Sequence, residues 1–127
     1  MKYLGIDYGR KKIGLAVSDG VIAEPLRILR YEDIRILREK LGKIISEFGI
    51  QKIVIGISEG EMGRESKEFG RVLEEKIKTP VIYQDESLST QTAQELSIGA
   101  GIKRKKRKEM EDAYSAAIIL QSYLDTL

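Results

Sequence analysis

The chain contains no cysteine, histidine, tryptophan or asparagine, and only two prolines. Without histidine or cysteine there is no Ser–His–Asp triad, no Cys–His pair, no imidazole base and no ordinary zinc site. Disulfides are impossible, which fits a reducing compartment. Any catalysis must use carboxylates, hydroxyls, Lys, Arg or Tyr, and a hard cation that prefers oxygen ligands suits that set. No apolar run approaches the ~20 residues of a membrane span. The N-terminal MKYLGIDYG has no long apolar core and carries Asp7, unlike a signal peptide. A cytoplasmic protein without membrane association is expected.

What is present suits one domain over residues 1–127. A chain of this size buries roughly two-thirds of its unfolded surface, enough for a real core. The charged share, 33%, exceeds the ~25% of average domains. The net charge of +2 hides an asymmetry, because six of the 22 basic residues form one run, Lys103-Arg104-Lys105-Lys106-Arg107-Lys108. The remainder, 16 basic against 20 acidic, carries −4.

Residues 3–8 and 13–18 read as strands around the basic turn Gly9-Arg10-Lys11-Lys12. Asp19-Gly20 signals a hairpin into a third strand over 21–29, where Pro25 suggests an edge. The period then switches: Ile34, Leu37, Leu41, Ile44, Ile45 and Phe48 recur at helical spacing, and Gly49 ends the helix. Ile53–Ile57 resembles a buried parallel strand. A loop over 58–63, a helix over 64–78, a strand over 81–85, a short helix over 89–97, a charged loop over 99–108 and a helix over 109–124 complete the pattern. The order predicts an α/β fold: a mixed five-stranded sheet, three antiparallel strands then two parallel, with helices on both faces.

Three acidic positions stand out. Asp7 ends an otherwise apolar strand, where an unpaired carboxylate is costly and where ligand sites of open α/β sheets gather; capping the following turn would also explain it. Asp85 and Glu86 close a later strand, and alternation lets only one of them readily join Asp7; both would also suit the dipole of a helix capped by Ser89 or Thr90. Asp112 lies in the first turn of the last helix, where the dipole alone explains an acid. It shares a face with Ser115, Ala116 and Ile119, and the small residues Ser115, Ala116 and Ala117 permit close approach to a sheet. Clustered carboxylates repel unless neutralised. Magnesium or manganese resolves this, and a pair of such ions can drive phosphodiester hydrolysis. Lys103–Lys108 and Arg10, Lys11 and Lys12 would contact nucleic-acid phosphates, although a run of this kind can equally be a solvated loop.

These motifs resemble the YqgF family, also called RuvX, of the ribonuclease H-like superfamily. The matching pieces are Gly5-Ile6-Asp7-Tyr8-Gly9 with 12–19, Ile53-Val54-Ile55-Gly56, Asp85-Glu86 with Leu88-Ser89-Thr90 and Ala93, and Asp112 with Ala116, Ile119, Leu120 and Gln121. They occur in family order and span almost the whole chain. The resemblance implies a ribonuclease H-like nuclease domain dependent on Mg²⁺ or Mn²⁺. Its metal ligands would be Asp7, Glu86 or Asp85, and Asp112. The family is described both as a nuclease maturing the 5′ end of precursor 16S rRNA and as a Holliday-junction resolvase. Structured RNA is therefore the expected substrate and branched DNA the alternative, acted on by a monomer or homodimer. A non-catalytic assembly factor that binds nucleic acid is a further alternative. Two departures are visible: Ser58-Glu59-Gly60-Glu61 replaces the usual loop after the fourth strand, and Ser87 replaces the usual Arg. Glu59 is a reserve ligand.

Overall fold

The computed structural model describes residues 1–85 and 110–127. The elements are β1 (Tyr3–Asp7), β2 (Lys12–Ser18), β3 (Ala23–Arg30), α1 (Ile34–Phe48), β4 (Lys52–Ile57), α2 (Glu61–Ile77), β5 (Val81–Asp85) and α3 (Glu111–Leu124). The strands form one sheet in the order β3-β2-β1-β4-β5. β1, β2 and β3 pair antiparallel, whereas β4 runs parallel to both β1 and β5. This is the mixed five-stranded arrangement expected from the sequence.

Strand alternation divides the core in two. Leu4, Ile6, Ile13, Leu15, Ile53 and Ile55 face one side and pack with Leu37, Leu41, Phe69 and Leu73 of α1 and α2. The intervening positions Tyr3, Ala16 and Val54 face the other side and pack with Ala116, Ala117, Ile119 and Leu120 of α3. Helices therefore cover both faces, which explains the nearly unbroken apolar run of β4.

Local signals agree with the element boundaries. Asp33 caps α1, its carboxylate accepting a 2.9 Å hydrogen bond from the Arg35 amide. Gly49 ends that helix at φ 64°. Pro25 lies on edge strand β3, and the pairing shifts register between Leu15 and Ala16, opposite Arg27 and Pro25. A proline without an amide hydrogen is tolerated there.

β3 begins at Ala23 and α3 at Glu111, two residues later than the sequence reading, and the largest difference is at α2. α2 begins at Glu61, not Arg64, so residues 61–63 are helical. Two glycines give this segment the composition of a loop, but each has a helical purpose. Gly60 takes φ 80° at the helix start. At Gly63 a Cβ would fall 1.9 Å from the Ser58 carbonyl oxygen, so the helix meets the end of β4 only through glycine. The helix expected over 89–97 and the loop over 99–108 lie outside the described residues. Among the described residues, no helix is long and apolar enough to cross a membrane.

Candidate active site

The site starts from the face of the sheet that carries α3. Along β1, Tyr3 packs in the α3 core, and Gly5 approaches the helix so closely that a Cβ would lie 2.8 Å from the Ala116 carbonyl oxygen. Asp7 continues this alternation and is paired in register with Gly14 of β2. A Cβ on Gly14 would fall 1.9 Å from the backbone oxygen of Asp112. The residue opposite Asp7 is thus pressed against the residue just before the buried stretch of α3.

The far end of α3 is tied down as well. Gln121 accepts a 2.8 Å hydrogen bond from the Ala23 amide and donates at 3.0 Å to the Val21 carbonyl. This holds the helix against the β2–β3 turn while its first turn rests on Gly14. Asp7 and Asp112, from opposite ends of the chain, therefore line one cleft of about 370 Å³ together with Tyr8, Gly9 and the basic turn.

The three cations of that turn have separate partners or exposures. Lys12 belongs to β2, and its Nζ lies 3.2 Å from Asp112 Oδ2. Arg10 reaches the other way and forks onto Glu65 of α2, with contacts of 2.7, 3.1 and 3.1 Å. Glu61, one helical turn earlier, lies 4.0 Å from the same guanidinium. The hydrogen bonds and charge of Arg10 hold the Glu65 carboxyl below its ordinary range. Lys11 is exposed.

An aromatic pair braces the turn from below. Tyr8 stacks on Phe69 of α2 with ring centroids 4.6 Å apart. Tyr31 donates its hydroxyl hydrogen to the Gly9 carbonyl. Burial, with Tyr8 as neighbour, pushes the Tyr31 phenol well above its ordinary range. Glu65 and Tyr31 were not legible as site residues in the sequence. The available signal was the i, i+4 spacing of Glu61 and Glu65, visible only once α2 is known to start at Glu61.

The remaining acids divide clearly. Val81 and Tyr83 of β5 pack into the α1/α2 core, so alternation places Asp85 on that face and not on the face of Asp7. Glu59 is exposed between β4 and α2 and does not line the cleft. Glu86 and Lys103–Lys108 lie outside the described residues. Among the described residues, no three acids gather as a metal-holding group. The donor chemistry of the cleft nevertheless suits a hard divalent cation. It offers carboxylate oxygens from two elements, and one of them already engages a cation, the Lys12 ammonium.

A family model described as "RuvX: Holliday junction resolvase" matches residues 1–126. A Bacillus pumilus protein named "Putative pre-16S rRNA nuclease" is 36% identical over 137 residues, covering 100% of this chain and 99% of that protein. An Agathobacter rectalis protein of the same name is 39% identical over 138 residues, covering 100% and 96%. Among solved structures, T. thermophilus RuvC in complex with a Holliday junction substrate superposes with a TM-score of 0.66 at 16% identity, covering 99% of this chain and 96% of that one. At that identity the likeness concerns the fold, which is the ribonuclease H-like arrangement expected from the motifs.

Proposed function

The chain belongs to the RuvX family, and on that premise we propose that it is a divalent-metal-dependent endonuclease acting on precursor 16S rRNA in the cytoplasm. The observation that carries this reading is the convergence of Asp7 and Asp112 on one cleft. The names of its relatives support the substrate class. Residues 1–127 would serve as a single catalytic domain.

Asp7 and Asp112 would hold Mg²⁺ or Mn²⁺, with Glu86 as the third carboxylate. Glu86 is preferred to Asp85 because Asp85 lies on the opposite face of the sheet. When bound, such ions activate a hydrolytic water and neutralise charge at the leaving oxygen. The chain's own residues bind and orient. Gly14 lets α3 come close enough to present Asp112, and Lys12 would occupy that carboxylate until a metal ion replaces its ammonium. Arg10, through Glu65, fixes the turn that follows Asp7. Lys11 would contact the substrate backbone, joined by Lys103–Lys108.

The family description favours one further reading, resolution of four-way DNA junctions. Two coordinated cuts would then call for a symmetric dimer. The deciding experiment incubates precursor 16S rRNA and a four-way junction side by side with Mn²⁺, using wild type and Asp7→Asn. Cleavage of the RNA that Asp7→Asn abolishes without unfolding the protein is expected. Full activity in Asp7→Asn removes the assigned site, and junction cleavage by a dimer without RNA cleavage favours the second reading. Calorimetry that finds no divalent-metal binding would favour a non-catalytic assembly factor.

A further inference from the structure

A second concavity opens beside the catalytic cleft. It is a groove of about 830 Å³ between the β1–β2 turn, the end of β3 and the first turns of α1. Its walls include Lys11, Arg30 and Lys40, with Tyr31 and Ile36 between them. Lys11 and Arg10 line both the groove and the cleft, so the two are continuous.

The charges of the groove do not cancel. Of its two acids, Asp33 is engaged by Arg35 at 3.1 Å and caps α1, which leaves Glu32. Of its four cations, Arg10 is committed to Glu65. Among the described residues, Lys11, Arg30 and Lys40 are not in ion pairs with carboxylates, and all three are exposed. Lys12, opposite Arg30 in the β2–β3 register, is itself taken up by Asp112, so it leaves Arg30 without a carboxylate.

The floor of the groove is rigid and partly apolar. The Tyr31 amide donates to the Lys11 carbonyl at 3.0 Å, and the Tyr31 hydroxyl donates to Gly9. Ile36 leaves half of its surface exposed between the cations. Cations interleaved with an aromatic and an aliphatic side chain suit a single strand, whose phosphates seek charge and whose bases seek apolar contact.

We infer that this groove holds a single-stranded segment of the nucleic-acid substrate next to the scissile position, with Lys11, Arg30 and Lys40 on its phosphates. This rests on the nuclease reading for its orientation toward the cleft, but it can be tested apart from cleavage. The measurement is binding of short single-stranded RNA and DNA of one sequence, without divalent metal, over a range of salt. The variants are Arg30→Gln/Lys40→Gln, the charge-preserving Arg30→Lys/Lys40→Arg, and Lys76→Gln on exposed α2 as control.

Each single-strand phosphate contact adds about 0.7 to the log–log salt slope. The double Gln variant is therefore expected to lose about 1.4, equally on RNA and DNA, while the other two variants keep the wild-type slope. An unchanged slope in the double Gln variant overturns the inference. A loss of about 0.7 in Lys76→Gln, half that of the double variant for half the charge, reduces the effect to overall charge and also overturns it. A loss confined to one nucleic acid overturns the phosphate contact, which both share. If wild type fails to cleave while the slopes behave as expected, the nuclease reading falls and the groove stands.

Discussion

Lys12 Nζ lies 3.2 Å from Asp112 Oδ2, so a cation from the second strand sits on the carboxylate that the last helix brings to the cleft. Both side chains are partly exposed, 44% and 30%. The pair can therefore open at little cost, and the metal ion of the proposed function would compete with an ammonium for the same oxygen.

Replacing Lys12 should expose that competition. An ion pair with this exposure is worth about 0.2–1 kcal/mol. Lys12→Gln is expected to tighten Mn²⁺ binding by up to about fivefold in protein free of nucleic acid, as read by calorimetry. Weaker binding in Lys12→Gln would show that the lysine supports the metal and does not compete with it.

The close approach of α3 makes a paired glycine prediction. Gly14→Ala forces a methyl group into the Asp112 backbone, and overpacking of this kind costs about 1–3 kcal/mol or more. Gly42, inside α1, has nothing within 4 Å of a Cβ, so Gly42→Ala should stabilise by about 0.5–1 kcal/mol. Denaturant unfolding of the two variants tests both signs. A neutral Gly14→Ala would show that α3 can withdraw from the sheet.

The Arg10–Glu65 fork predicts an acid-side dependence of stability. Arg10 lowers the Glu65 carboxyl in the folded state, so its contribution is present above the ordinary Glu value of about 4.3 and is lost as pH falls through the lowered one. Glu65→Gln should flatten the unfolding midpoint measured across this interval. A profile identical to wild type would mean that the fork is too solvated to matter.

Tyr31 predicts the opposite edge. Burial raises its phenol, so its contribution is intact below the ordinary Tyr value of about 10 and declines as pH rises beyond it. Tyr31→Phe removes the hydrogen bond to Gly9, at a cost of about 0.5–1.5 kcal/mol near neutrality, and should reduce the alkaline decline. Thermal melts from neutral to alkaline pH decide this; an undiminished decline assigns it to other groups.

Much of the fold was legible because its signals are local. The Asp19-Gly20 hairpin, the helical period from Ile34 to Phe48 with Gly49 behind it, and the apolar run of β4 depend on neighbours in sequence. The start of α2 was obscured because Gly60 and Gly63 have loop composition, while their purposes, a left-handed entry and contact with Ser58, lie in three dimensions. The acids at 7 and 112 could be named as candidates from strand-end and helix-start positions. Their meeting could not be derived from either position, because it depends on Gly5 and Gly14 admitting the helix and on Gln121 anchoring its far end.

The absence of histidine and cysteine, together with acids at separated element ends, determined the kind of ligand this chain can offer: oxygen donors, which suit the hard cation of the proposed function. Tertiary structure decided how the basic turn is divided. Arg10, Lys11 and Lys12 are adjacent in sequence and equivalent in charge, yet one is clamped to Glu65, one is exposed and one faces Asp112. Charge is a property of the residue, whereas its partner is set by which helix packs against which face of the sheet.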